Sequence, residues 1–128
     1  MNKEFVKYEQ ALALKELGFG EECFAVYYVN KEFTLYSEAW VKFNSEFNGN
    51  GVISAPLYQQ AFRWFREKNR LHSTIAFTSD SIFAEGGYMF MVDIIEPHKA
   101  LDNDNTYKTY EGAESACLDK LIEICKTK

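Results

Sequence analysis

Residues 56–68 (PLYQQAFRWFREK) carry the clearest helical pattern in this 128-residue chain. The stretch opens on a proline, which suits the first helical position because its missing N–H would have no partner there. Apolar residues then recur at i, i+4, i+7 and i+8, so that they share one face of a helix: Leu57, Ala61, Trp64 and Phe65. We therefore expect a helix that buries its apolar face in a core.

Segments of strand-like composition precede this helix. Residues 23–29 and 33–36 are rich in aromatic and β-branched side chains and are separated by a short turn, which predicts a hairpin. Residues 48–51 (NGNG) tolerate positive φ and predict a loop. A third short strand is expected before that loop, including Trp40, Val41 and Phe43.

Similar segments follow the helix. Residues 74–77 and 88–95 predict two further strands, with residues 82–84 between them and Glu85-Gly86-Gly87 as their turn. Pro97 should end the second of these strands. Residues 100–105 (ALDNDN) are polar, and we expect them to form a flexible segment.

Helices are predicted at both ends of the chain. Residues 8–17 (YEQALALKEL) are good helix formers and are followed by Gly18, a residue suited to a helix C-terminus. Near the other end, Thr109 can cap a helix in which Glu111 lies in the first turn. One face of that last helix is apolar: Ala113, Cys117, Leu121 and Ile124.

The order α-β-β-(β)-α-β-β-(β)-α predicts an α+β class for one domain over residues 1–128. Strands joined by tight turns pair antiparallel, so we expect three helices on one face of an antiparallel sheet of four to five strands. This order disfavours a parallel nucleotide-binding sheet, and no glycine-rich phosphate loop or other cofactor motif occurs.

Composition and charge restrict the class of protein further. A net charge of −5 with 47% apolar and 16% aromatic residues is typical of a globular chain with no general affinity for nucleic acid or anionic membranes. The three cysteines are an odd number without framework spacing, as in reduced cytoplasmic proteins. No segment has the pattern of a signal peptide or of a membrane-spanning helix, so no membrane partner is expected.

The densest basic cluster lies on the central helix. Gln59, Arg63 and Arg66 fall at i, i+4 and i+7 on one face, and Lys68 and Arg70 follow them. We call these five residues the basic flank. They could contact phosphates or a partner protein, or they could form a solvated face supported by an ion pair between Arg63 and Glu67.

No metal site is predicted. His72 and His98 are the two histidines, and neither has a histidine or cysteine within four residues. Residues 102–106 (DNDNT) resemble the start of a calcium loop, but Tyr107 occupies the glycine position and Ala113 the position of the bidentate glutamate.

No catalytic motif is evident either. Cys117 lies on the apolar face of a predicted helix, where a thiol stays protonated and serves packing. Carboxylates near the second hairpin could act as an acid and a base if the fold paired them: Asp80, Glu85, Asp93 and Glu96.

Three segments resemble a family of small uncharacterised proteins of bacteriophage and prophage genomes. They are residues 8–19, residues 55–68 with the string PxxQQAFRWFR, and residues 109–124 (TYEGAESACLDKLIEI). The family's last helix usually opens Thr-Tyr-Glu-Glu-Ala, whereas this chain has Gly112 at the fourth place. The resemblance implies a phage or mobile-element origin and no activity, ligand or catalytic residue.

These observations favour a non-catalytic accessory protein that binds another protein or itself, most simply as a homodimer through exposed aromatic residues. Two alternatives stay open. One is nucleic-acid binding through the basic flank, and the other is a small enzyme without a recognisable motif.

Overall fold

A computed structural model describes residues 2–36, 51–79, 82–83, 85–94, 99–102 and 106–127 of the chain. The chain divides into two compact units, Met1–Gln60 and Ala61–Lys128. The expectation of a single domain over residues 1–128 stays a prediction.

The first unit contains the helix α1, Tyr8–Glu16, which follows a short 3-10 turn, Asn2–Glu4. At its start the side chain of Gln10 accepts a hydrogen bond from the Lys7 backbone N–H at 2.9 Å. At its end Gly18 has φ 101° and Phe19 N–H donates to the Leu14 carbonyl at 2.9 Å. This is a Schellman motif, and it confirms the predicted helix end at Gly18.

A three-stranded antiparallel sheet completes the first unit. Its order is β2-β1-β3, with β1 at Ala25–Tyr28, β2 at Phe33–Leu35 and β3 at Val52–Ser54. The predicted hairpin is confirmed as β1 and β2, whose turn places Lys31 at φ 69°. Three residues are too few to show a strand period, so β3 was not predicted.

The central helix α2 spans Tyr58–Asn69. Three members of its predicted apolar face are confirmed, because Ala61 and Phe65 are fully buried and Trp64 is nearly so. The placement of Leu57 on that face was wrong, since Leu57 precedes the helix, bridges to Phe5 and is half-buried. The predicted position of Pro56 inside the first helical turn was wrong: Pro56 precedes the helix, and its carbonyl accepts a hydrogen bond from Val6 N–H at 3.0 Å. A single residue, Arg70 at φ 56°, connects α2 to the next strand.

The second unit contains a three-stranded antiparallel sheet of order β4-β5-β6. These strands are Leu71–Thr78, Gly87–Ile94 and Lys99–Asp102, and all eight residues of β4 pair with β5. The expectation of a flexible segment over residues 100–105 was wrong for its first part, since β6 pairs with β5 there. Pairing with a neighbouring strand satisfies the backbone of a polar segment whatever its propensity.

The helix α3, Tyr110–Lys126, packs on β5 and β4. Thr109 caps it as predicted, since its side chain accepts a hydrogen bond from Gly112 N–H at 3.0 Å. Its buried face includes Ala113, Cys117 and Leu121 as predicted, and Ile124 is half-buried.

The α+β class predicted from the sequence is confirmed. The strands form two antiparallel sheets instead of one, because the described strands before α2 pair with each other and those after it do the same. The predicted third strand around Trp40, Val41 and Phe43 and most of the loop at residues 48–51 lie outside the described residues.

Candidate functional site

The basic flank is exposed along its whole length. All five of its residues face solvent, whereas the opposite face of α2 is buried. Helical spacing thus places Gln59, Arg63 and Arg66 on one exposed face as predicted, whereas Arg70 lies just beyond the helix. Glu67 is exposed within the same run, so the surface carries mixed charge, as a solvated helix face also does.

The neighbouring glutamine has a different role. Gln60 is buried, and its Nε2 donates to the Glu22 carbonyl at 2.6 Å while its Oε1 lies 3.9 Å from the Cys23 thiol. A second buried glutamine, Gln10, accepts a hydrogen bond from the Tyr58 hydroxyl at 3.0 Å. Sequence reasoning missed both because glutamine in a helix gives no sign of burial.

The described surface of the second unit contains a cavity of about 610 Å³ at one end of its sheet. Phe77 and Tyr88 line it from β4 and β5, and Ile82 and Phe83 line it from the segment between these strands. We call this the aromatic cavity. Its polar members, together with Gly86, complete the lining: Glu85, Lys108 and Thr109.

Edge-on ring contacts join aromatic side chains at the cavity. The rings of Phe77 and Tyr88 have centroids 5.5 Å apart, and those of Tyr88 and Tyr110 are 5.8 Å apart, both nearly perpendicular. Such pairs add to the stability of a cluster beyond the area they bury. Gly86 lies against the Phe77 ring with φ 86°, so the tight turn before β5 requires glycine.

Phe77 breaks the burial pattern of its strand. Side chains on one face of β4 become progressively more exposed along the strand: Leu71 is buried, Ser73 and Ile75 are half-buried and Phe77 is 58% exposed. Ile82, close to it in the cavity lining, is 89% exposed. Two large apolar side chains in the lining of one cavity are therefore exposed.

The described lining of the cavity carries few polar groups. Among the residues that the structure describes there, Glu85 is the one carboxylate, and Tyr88 and Thr109 add hydroxyl groups. Asp93 lies on β5 outside this lining, and Asp80 and Glu96 are outside the described residues. An acid–base pair of carboxylates is thus not assembled in the described part of the cavity.

The cysteines are packing residues where they are buried. Cys23 and Cys117 are fully buried, and burial raises the pKa of each thiol to about 12. Hydrogen bonds from Ser54 to Cys23 and from Ser73 to Cys117 oppose this rise only in part. The expectation that Cys117 serves the core is confirmed.

Over the described ranges, no three histidine, cysteine or acidic side chains lie close enough to hold a metal ion. His72 lies on β4 opposite Asp93 of β5, and His98 is outside those ranges. No described helix is both long and apolar enough to cross a membrane.

Comparison of the chain with protein-family models, with curated proteins and with solved structures gives no match.

Proposed function

We propose that this protein is a non-catalytic accessory protein that binds another protein through the aromatic cavity of its second unit. The observation that carries the proposal is the exposure of Phe77 and Ile82 in the lining of that cavity. The phage or mobile-element origin that accompanies it rests on the three sequence segments alone.

Burial of these two side chains supplies a driving force for binding. Phe77 is 58% and Ile82 is 89% exposed. Full burial of a Phe or Ile side chain contributes roughly 1.5–3 kcal/mol, so an occupant that covers both would gain about 3 kcal/mol from them. Aromatic residues, Phe among them, are enriched in protein interfaces relative to the rest of the surface.

Polar groups in the lining supply orientation. Glu85 and Lys108 bring opposite charges to the same cavity, and Thr109 adds a hydroxyl group beside the start of α3. An interface typically combines an apolar centre with a polar rim. We expect a partner to insert an apolar side chain and to place polar groups around it.

The test uses the full chain as an affinity bait in a lysate of the cells that carry its gene. A Phe77→Ser/Ile82→Ser variant should lose a protein that the unchanged chain retains, because the exposed apolar pair is removed. Quantitative mass spectrometry of the retained proteins measures the loss.

A Val29→Ser/Leu35→Ser variant is the matched control. Val29 is 71% and Leu35 is 42% exposed, and both belong to the first unit. It should retain the same protein as the unchanged chain. Equal recovery by all three baits would contradict the proposed site, and so would loss with the control alone.

Nucleic-acid binding through the basic flank is the second candidate. The observation that favours it is the exposure of three arginines and one lysine between positions 63 and 70, which could contact successive phosphates. Such binding would weaken steeply with salt. An Arg63→Ala/Arg66→Ala variant should then bind a labelled oligonucleotide less tightly with a smaller salt slope, and unchanged binding would rule the flank out.

A further inference from the structure

The aromatic cavity offers ring faces, which attract positive charge. Phe77, Phe83 and Tyr88 each contribute a ring to its lining. The centroids of the Phe77 and Tyr88 rings are 5.5 Å apart, and their planes are inclined at 73°. A ring attracts a cation that lies within about 6 Å of its centroid, so a single cation can be within reach of both rings.

The same lining contains a carboxylate. Glu85 is exposed and precedes Gly86, which lies against the Phe77 ring. The Gly86 N–H donates to the Phe83 carbonyl at 3.0 Å, so one tight turn carries both the Phe83 ring and the Glu85 carboxylate. A cation that enters from solvent can therefore meet ring faces and a negative charge in one cavity.

These neighbours favour a guanidinium group. It is planar, it stacks on aromatic faces, and it binds a carboxylate through two parallel N–H groups. An apolar side chain alone would cover the rings and take the Glu85 carboxylate out of water without a partner, which costs free energy. Arginine is also the cation found most often over aromatic rings in proteins.

The charge of the chain favours a basic partner. A net charge of −5 attracts cationic surfaces and repels anionic ones. Lys108, the one cation among the described lining residues, acts against a second cation in the cavity. It is exposed, and its flexible stem lets the ammonium group stay in water. Its charge therefore weakens the binding of a cation without excluding it.

We infer that the partner of this cavity is a basic protein that places an arginine beside its apolar side chain, with the guanidinium over the Phe77 and Tyr88 rings and paired with Glu85. The inference rests on the proposed function, since it names the chemistry that the same cavity recognises. The apolar side chain would then cover Ile82, and the arginine would cover Phe77.

Nuclear magnetic resonance titration of the full chain tests the inference with blocked amino acids as probes. N-acetyl-arginine methylamide should shift the backbone resonances of Phe77, Glu85 and Tyr88. The matched probe is N-acetyl-citrulline methylamide, which has nearly the same shape and no charge. It should bind at least about threefold more weakly, because it lacks the attraction of a cation to the rings and to Glu85.

Three variants identify the charge of the occupant. Phe77→Leu keeps an apolar side chain but removes the ring, and it should weaken binding of the arginine probe about two- to fivefold. Glu85→Gln should weaken that binding by up to about fivefold, whereas Lys108→Gln should strengthen it because a like charge is removed. An apolar occupant would respond to neither of these last two changes, and an anionic occupant would reverse both.

Glu32→Gln is the control for net charge. Glu32 is exposed in the first unit and does not belong to the cavity lining. This variant changes the charge of the chain by the same amount as Glu85→Gln and should leave the affinity for the arginine probe unchanged. An equal loss of affinity in both variants would overturn the inference. The amide spectrum of each variant should show that it is folded.

Equal affinity for the arginine and citrulline probes would also overturn the inference. So would unshifted resonances at the cavity with the arginine probe, or tighter binding of N-acetyl-glutamate methylamide. The proposed function would survive these results, because its affinity-bait test measures a retained protein whatever chemistry that protein presents. Its own failure would appear as equal recovery by the unchanged chain and the Phe77→Ser/Ile82→Ser bait.

Discussion

The buried hydrogen bond between Tyr58 and Gln10 predicts that replacing both residues lowers the free energy of unfolding less than replacing Gln10 alone. Both residues are at least 96% buried, at 4% and 3% exposure. The Oε1 atom of Gln10 accepts from the Tyr58 hydroxyl at 3.0 Å and from the Lys7 backbone N–H at 2.9 Å. One acceptor thus serves a buried donor and a donor at the start of α1.

The two single substitutions should lower the free energy of unfolding by different amounts. Tyr58→Phe removes one buried hydrogen bond and leaves Gln10 paired with Lys7, which costs about 1 kcal/mol. Gln10→Met removes an acceptor of the Tyr58 hydroxyl, and a buried donor that loses its acceptor costs more than the removal of the donor itself. Gln10→Met also removes the hydrogen bond from the exposed Lys7 backbone N–H. Together, the two losses should lower the free energy of unfolding by about 2.5 kcal/mol.

The double variant should be more stable than Gln10→Met alone. Replacing both partners by apolar groups removes the buried hydroxyl, so the total cost should fall to about 1.5 kcal/mol. The coupling between the two sites is then about 2 kcal/mol. At roughly 2.1 cal/mol/K per residue for 128 residues, 1 kcal/mol corresponds to about 4 °C in melting temperature.

Urea unfolding followed by circular dichroism measures these free energies. The control is Tyr28→Phe, which removes a hydroxyl–hydroxyl bond of 2.6 Å at an exposed place and should cost less than about 0.5 kcal/mol. Additive costs, with the double variant near 3.5 kcal/mol, would refute the reasoning.

Three further predictions concern the second unit and the thiols. Thr109→Ala should lower stability by about 1 kcal/mol, because the cap on Gly112 N–H is lost, and Thr109→Ser should restore most of it in thermal unfolding. Gly86→Ala should cost about 2 kcal/mol, since φ is 86° and a Cβ would meet the Phe77 ring; an unchanged melting temperature would contradict this. Burial raises the pKa of Cys23 and Cys117 from 9.0 to about 12, so between these values the unfolded chain releases protons that the folded chain keeps. Stability should fall as pH rises through that range, and denaturation at several pH values should show a smaller fall in Cys23→Ala/Cys117→Ala.

Elements with a strong local pattern were predicted well from the sequence. Three features depend only on residues close together in the sequence, so the sequence pattern predicts them. They are the apolar face of α2, the glycine after α1 and the threonine before α3. The two hairpins were predicted for the same reason, because each joins strands that are neighbours along the chain. The position of Pro56 was missed because its carbonyl is used by Val6, fifty residues earlier.

Long-range pairing and exposure could not be predicted. β3 and β6 are short and depend on partner strands, and the separation into two sheets depends on which strands meet. The aromatic cavity depends on Phe77 being exposed on a face where Leu71 is buried, and alternation alone treats the two residues alike. The basic flank was placed correctly as an exposed surface, whereas its use in binding is untested.

The length of β4 also bears on what would happen if the described sheet of the second unit opened. Its eight residues, LHSTIAFT, combine apolar and β-branched side chains with no proline and no glycine. A segment of this kind promotes aggregation when unfolding exposes it. In aggregates of partly unfolded chains we therefore expect residues 71–78 to be involved before the shorter β6.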